Sequence, residues 1–311
     1  MDVFFALSGF LITRILIGTR SDPHYYRNFY ARRVLRLAPP YLITLVLVAL
    51  CIPHSHIFLL LSLVYLANFA HLFGVKLIYG PLWSLSVEEH FYLVWPWLIR
   101  FLRRRAFFVI ALAVVIFTPI LRYVSFEHRM FYDFYSWFRF DGLLWGALLA
   151  ILVTSPRSRR RHIAVWSTFV GLTGLMGLLI GIPLKLMGNN TGVGVAPAFA
   201  FVAMATSGLI GHALLGTFHR LFAIFRHPVS RFLGDISYWV YLIHYLLLVA
   251  FYHLFRSWGK GPVAYAVVAF CVLASSIASG VLVRKYVEKP ALALKYRFRA
   301  HPAKTSEAAE S

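Results

Sequence analysis

Acidic side chains are scarce in this sequence. Its 311 residues hold 11 Asp and Glu against 31 Lys and Arg, and charged residues of both signs make up only 14% of the chain, where soluble domains run at about 25%. With 60% of residues hydrophobic and 17% aromatic, that shortage of charge excludes an ordinary water-soluble fold. It predicts an all-α, polytopic membrane helix bundle with no soluble domain. Cysteine is nearly absent as well: there are two, Cys51 and Cys271, both inside apolar runs where packing is the ordinary role. Neither a disulfide nor a metal site is expected from them. No basic stretch precedes the first apolar segment and no small-residue cleavage site follows it, so the pattern of a cleaved signal peptide is missing.

Long apolar runs are plentiful. They cover 3–17, 41–52, 57–73, 82–99, 107–121, 143–153, 163–182, 193–215, 238–255 and 263–283, several of them near the roughly 20 residues a helix needs to cross a bilayer. The net charge of +20 would suit nucleic acid, but its placement argues against that partner and for a lipid bilayer. Of the 31 Lys and Arg, 23 fall in five gaps, 18–38, 100–105, 154–162, 216–237 and 284–311, and six in the other gaps. Short cytoplasmic loops are enriched in Lys and Arg, so these five gaps are assigned to the cytoplasm. If 57–73 crossed fully, Arg103, Arg104 and Arg105 would fall outside. That segment is therefore read as re-entrant or interfacial, leaving about nine spans in a plasma membrane with the C-terminus cytoplasmic. Residues 1–294 form the transmembrane domain, and 295–311 a polar cytoplasmic tail expected to lack fixed structure.

Ionisable residues in or beside apolar runs are costly and mark candidate sites. In PLWSLSVEEHFYLVWP (81–96), Glu88 and Glu89 point about 100° apart, so one can face the interior while the other pairs elsewhere. Neighbouring carboxylates in low dielectric suit acid–base chemistry; the alternative is a structural ion pair with an inward Arg. In FYARRVLRLAPPYL (29–42), Arg32, Arg33 and Arg36 share a helix face. That face either clamps phosphates or anchors the cytoplasmic end against headgroups. His244, in SYWVYLIHYLLL (237–248), is either a packing residue or a proton carrier. Arg139 and Asp141 mark the outer end of a span, and their i,i+2 spacing keeps them from facing each other. They reach to other helices or serve as interfacial anchors. Asp2 stands at the outer end of the first span.

DVFFALSGFLIT, FYARRVLRLAPPYL, PLWSLSVEEHFYLVWP, FRFDGLLWGALLA, FLGDISYWVYLIHYLLL and YVEKP occur here in that order. From residue 2 to about 294 the chain resembles the membrane-bound acyltransferase family 3, ten-helix proteins that O-acylate surface carbohydrates and related acceptors. The resemblance implies transfer of an acyl group, usually acetyl from acetyl-CoA as co-substrate with no bound cofactor, to a hydroxyl of a polysaccharide, lipid-linked sugar or similar acceptor. It implies that Arg32 and Arg33, with Arg36 one turn on, serve the CoA side. The family's Trp-Ser-x-Ser-x-Glu-Glu stretch matches Trp83 to Glu89; together with the residues singled out above, the candidates for the chemistry are Glu88, Glu89, Asp2 and His244, and those for meeting substrate are Trp83, Ser86, Arg139 and Asp141. His90 stands where the family commonly has Gln. The family's first helix, with an Arg and a His, has no counterpart in this sequence. The expectation is therefore an N-terminally truncated chain, inactive for want of that His. Two rivals are a proton-coupled transporter or flippase of a lipid-linked sugar, whose repeated halves are not visible here, and a non-catalytic pseudoenzyme.

Overall fold

The computed structural model describes residues 1–128, 133–183, 192–217, 219–220, 222–255 and 261–294; the tail at 295–311 lies outside them. Among the described residues there are helices and no strands. In chain order they are α1 (Asp2–Gly18), α2 (Tyr25–Cys51), α3 (His56–Leu63), α4 (Pro81–Phe101), α5 (Arg104–Glu127), α6 (Phe140–Val153), α7 (Arg160–Gly181), α8 (Gly192–Leu215), α9 (Ala223–Arg226), α10 (Pro228–Leu254), α11 (Pro262–Val283) and α12 (Lys289–Ala293). Short 3-10 helices cover Ala67–Phe73 and Ser136–Phe138, and a π-helical turn covers Arg284–Glu288. Proline sets several boundaries. It occupies the first turn of α10, α11 and α12, where its missing N–H costs nothing, and α2 stops at Cys51, where Ile52 is extended just before Pro53, as a pre-proline residue prefers.

The chain divides into two compact units. One comprises residues 1–22 and 84–222, the other 23–83 and 223–294. In the first, α1 packs on α6, α7 on α8, and α5 on α6 and α8. A Cβ on Gly9 would collide with the Leu143 carbonyl, and one on Gly146 with that of Ala6, so the α1–α6 approach requires glycine in both helices. This small-residue packing is how helices associate where lipid supplies no hydrophobic drive. In the second unit α10 packs on α11, and α2 on α3, α10, α12 and the π turn. Tyr41 donates to the Ser62 carbonyl at 2.7 Å, tying the α3 end to α2.

Outward surfaces are apolar. Leu50, Phe101, Phe169 and Phe270 are each at least 70% exposed, whereas Arg122 and Asp141 are 0% and 1% exposed. That inverse of a water-soluble protein is what a lipid solvent selects. Among the described residues six helical runs are long and apolar enough to cross a membrane, five within α2, α5, α7, α8 and α10 and one reaching from α11 through α12. The expectation of nine spans therefore needs three more, α1, α4 and α6. Of these, α1 has 17 residues and α6 has 14, while the 21 residues of α4 are diluted by Glu88, Glu89, His90 and Arg100.

The 57–73 segment folds as the eight-residue α3 and a seven-residue 3-10 helix. At ~1.5 Å per residue α3 is about 12 Å long, short of the ~30 Å hydrocarbon core. Register inside the first unit agrees with a segment that does not cross. Ser8 meets Tyr92, Thr13 meets Trp95, and Arg20 meets Arg100 and Leu102, so α1 and α4 run parallel. A single traversal between them gives that direction; two would reverse it.

Candidate functional site

In the first unit the polar interior is built where α1, α5, α6 and α8 meet. Arg122, fully buried on α5, uses its whole fork: Nη1 and Nη2 donate to the two carboxylate oxygens of Asp141 at 3.0 and 2.7 Å, Nη1 also to the Phe138 carbonyl at 2.6 Å, and Nε to the Ala196 carbonyl at 2.9 Å. A bidentate pair in which all three guanidinium nitrogens are hydrogen-bonded is the form in which a buried charge pair can persist. Arg139, just ahead of α6 and 3% exposed, turns the other way and donates to Asp2 at 2.6 Å. Its guanidinium lies 3.8 Å over the Phe199 ring, and that of Arg122 lies 5.4 Å from the same ring. Phe199 thus holds two cations against its π-face. Arg139 and Asp141 do not face one another; each is paired with a different helix.

On α4, Glu88 accepts a hydrogen bond from the Tyr92 hydroxyl at 2.9 Å, and Tyr92 in turn is hydrogen-bonded to Ser8 of α1. His90 Nδ1 lies 2.7 Å from the Ser136 hydroxyl, which ties α4 to the short 3-10 helix ahead of α6. Ser86 is completely buried, and Glu89 and Trp83 are partly buried. The acids and their partners cluster toward the beginnings of α1, α4 and α6. The opposite ends of these helices meet arginines: Arg20 donates to the Leu102 carbonyl at 2.8 Å and Arg104 to the Thr154 hydroxyl at 2.6 Å, and at the end of α8 Arg160 of α7 donates to the Leu215 carbonyl at 2.7 Å. Guanidinium groups at helix C-termini satisfy orphan carbonyls and complement the helix dipole.

The remaining candidates belong to the second unit. Arg32 and Arg33 are partly buried and Arg36 is exposed, all on the first half of α2. Glu288 of the YVEKP stretch, 9% exposed, feels the positive charges of Arg36 and Arg284, and Arg284 is ion-paired with Asp235. His244 Nδ1 donates to the Tyr241 carbonyl 2.7 Å away, one helical turn back, and its ring rests on Tyr241 at 5.6 Å. In the loop before α4, Tyr79 is fully buried and donates to the Leu242 carbonyl at 2.6 Å; burial pushes its hydroxyl up from 10.0 to about 12.

Sequence reasoning missed Arg122, Phe199, Ser8, Tyr92 and Ser136. Arg122 falls in a gap because the apolar run ends at Leu121, yet α5 continues through Glu127. Its spacing from Leu121 and Val124 within an unbroken helical pattern was the signal available. Nothing in sequence marks Phe199, since its partners Arg122 and Arg139 come from α5 and from the turn ahead of α6.

An apolar-shelled bundle that buries carboxylates and guanidiniums is a multi-pass membrane protein with an intramembrane polar site. Residues 1–284 match the family model described as an acyltransferase domain, so this is a membrane acyltransferase. The chain belongs to the membrane-bound acyltransferase family 3. It is 31% identical over 228 residues to an uncharacterised protein of Haemophilus influenzae, covering 61% of this chain and 88% of that one. It is 25% identical over 309 residues to the O-acetyltransferase OatA of Staphylococcus aureus, covering 85% of this chain and 48% of OatA. The chain thus spans about half the length of OatA. No solved structure matches it.

Proposed function

We propose that this acyltransferase moves an acyl group, acetyl in the first instance, from cytoplasmic acyl-CoA to a hydroxyl of a surface polysaccharide, lipid-linked sugar or similar acceptor on the outer side of the plasma membrane. The observation that carries the reading is the polarity of the first unit: its carboxylates, with the two arginines paired to them, gather at one end of the parallel helices α1, α4 and α6, while Arg20 and Arg104 cap the other. With the basic gaps in the cytoplasm, the acids open to the acceptor side and the C-terminus is cytoplasmic.

Within that site the roles divide by what each group is already bound to. Asp141 is committed to Arg122 and acts as a support. Asp2 holds Arg139, whose guanidinium is the donor for the carbonyl oxygen as negative charge develops on it. Glu88 and Glu89 supply the general base that takes the acceptor's proton, and Trp83, partly buried on the same helix, lines the acceptor's approach. In the second unit, taken by itself, Arg32, Arg33 and Arg36 hold the donor's phosphates as planar forks. His244 is left with a packing role.

The test is transfer from radiolabelled acetyl-CoA to alkali-labile acetate in the envelope fraction of cells making the full chain. Arg32→Ala with Arg33→Ala should raise KM for acetyl-CoA at least about tenfold, the loss of one charge-assisted contact of about 1.5 kcal/mol or more, with kcat little changed. Unchanged KM would remove these arginines from donor binding.

A further inference from the structure

Glu88 is not an isolated carboxylate. Tyr92, one turn along α4 and 1% exposed, gives its only hydroxyl proton to Glu88 at 2.9 Å. A phenol has one hydrogen to donate, so the second hydrogen bond at the same oxygen, to Ser8 of α1, must have Ser8 as its donor while Glu88 is ionised. Three oxygens therefore stand in series with every O–H pointing toward the carboxylate. The far end, Ser8, is only partly buried.

We propose that Ser8, Tyr92 and Glu88 form a proton relay, so that Ser8 and Tyr92 act in the acyl transfer together with the carboxylate. The proposal rests on the acyltransferase reading given above. As the acceptor oxygen attacks the thioester carbonyl, its proton passes to Ser8 Oγ, the Ser8 proton to Tyr92 Oη, and the Tyr92 proton to Glu88. Both hydroxyls are restored and Glu88 ends as a carboxylic acid. The acyl carbon gains the acceptor oxygen and loses the CoA sulfur as thiolate, and Glu88 releases its proton afterwards to reset the chain. In the protonated state the same three oxygens can bond in the reverse sense, with Glu88 donating to Tyr92 and Tyr92 to Ser8. A conducting wire needs that reversibility, and a purely structural tether does not. Nor is a tether required here, because α1 and α4 are independently joined by the Trp95 indole N–H to the Thr13 hydroxyl at 2.7 Å and by Arg20 at their far ends.

Tyr92→Phe keeps the ring and deletes the wire. In membranes holding the full chain, with radiolabelled acetyl-CoA as donor and the envelope fraction as acceptor, the variant should lose about a hundredfold in kcat, as for a removed acid–base step, at unchanged KM for acetyl-CoA. The solvent deuterium effect should change from a curved dependence on deuterium fraction, reflecting several protons in flight, to a linear one. Adding Tyr92→Phe to Glu88→Gln should cost nothing further, since residues acting as one unit are not additive. Thr13→Val, which cuts only the neighbouring tether, should leave the curvature intact. If folded Tyr92→Phe works at the wild-type rate, or the two losses multiply in the double variant, the relay is wrong. Should Tyr92→Phe not give monodisperse protein, Ser8→Ala reads the same three quantities. A wild-type chain that transfers no acetyl brings down the acyl-CoA reading and the relay with it, whereas active wild type with unaffected Tyr92→Phe and Ser8→Ala brings down the relay alone.

Discussion

Replacing Arg122 by Met leaves Asp141 buried with its bidentate partner gone, and takes the same donor from the Phe138 and Ala196 carbonyls. Stranding one member of a buried pair costs about 3–5 kcal/mol, so the variant should lose most of its monodisperse fraction when melted in detergent. Replacing both members together, Arg122→Met with Asp141→Leu, should recover much of that loss, because the uncompensated charge is then gone. His90→Leu removes the bond to Ser136, and about 1 kcal/mol is the expected cost, read as a small drop in melting temperature. At this scale the legible residues were those whose charge interrupts an apolar run: Asp2, Glu88, Glu89, Arg139 and Asp141 were all visible as expensive. Arg122 was hidden because hydropathy ends a segment where the helix does not. Ser8 and Tyr92 were hidden because a hydroxyl in an apolar helix satisfies itself locally in most cases, and only the partner across the interface marks it.

The approach of α1 to α6 depends on two backbone atoms meeting without a Cβ between them. Gly146→Ala or Gly9→Ala should cost at least the ~1–3 kcal/mol of an overpacked core, since neither carbonyl can yield like a side chain. Gly18→Ala, with nothing within 4 Å of its added methyl, should instead be neutral or stabilise α1 by up to about 1 kcal/mol. Thermal unfolding of the three variants in one detergent separates them. In the second unit, folding holds the Tyr79 hydroxyl neutral. A raised value means the folded state binds its proton more tightly, so this contribution is complete below pH 10 and is lost as the pH climbs from 10.0 toward about 12. Tyr79→Phe should flatten the alkaline limb of the stability curve. Helices as such were legible from the apolar runs. Their ends were less so, because composition assigns to loops both the polar last turns of α5, which bury Arg122 and Ser125, and the exposed polar first turns of α10.

At the level of the whole chain, the charge asymmetry predicts which loops face which side, and the parallel register of α1 and α4 agrees with a 57–73 segment that does not cross. In a background with Cys51 and Cys271 replaced, Lys76→Cys should react with an impermeant maleimide on intact cells, and Arg157→Cys only after permeabilisation. Both positions are exposed. The family was legible because its motifs are ordered along nearly the whole sequence. Which helices supply partners to Arg139 and Asp141 was not, since contacts separated by 137 positions in the chain leave no local pattern.

The acyl-transfer account concentrates on Glu88, and replacing it is the most direct test. In cells making the full chain, incorporation of labelled acetyl from acetyl-CoA into alkali-labile envelope acetate should fall about a hundredfold or more in Glu88→Gln, with the variant inserted and folded as wild type. Undiminished acetylation by Glu88→Gln, at equal protein level, would contradict the account.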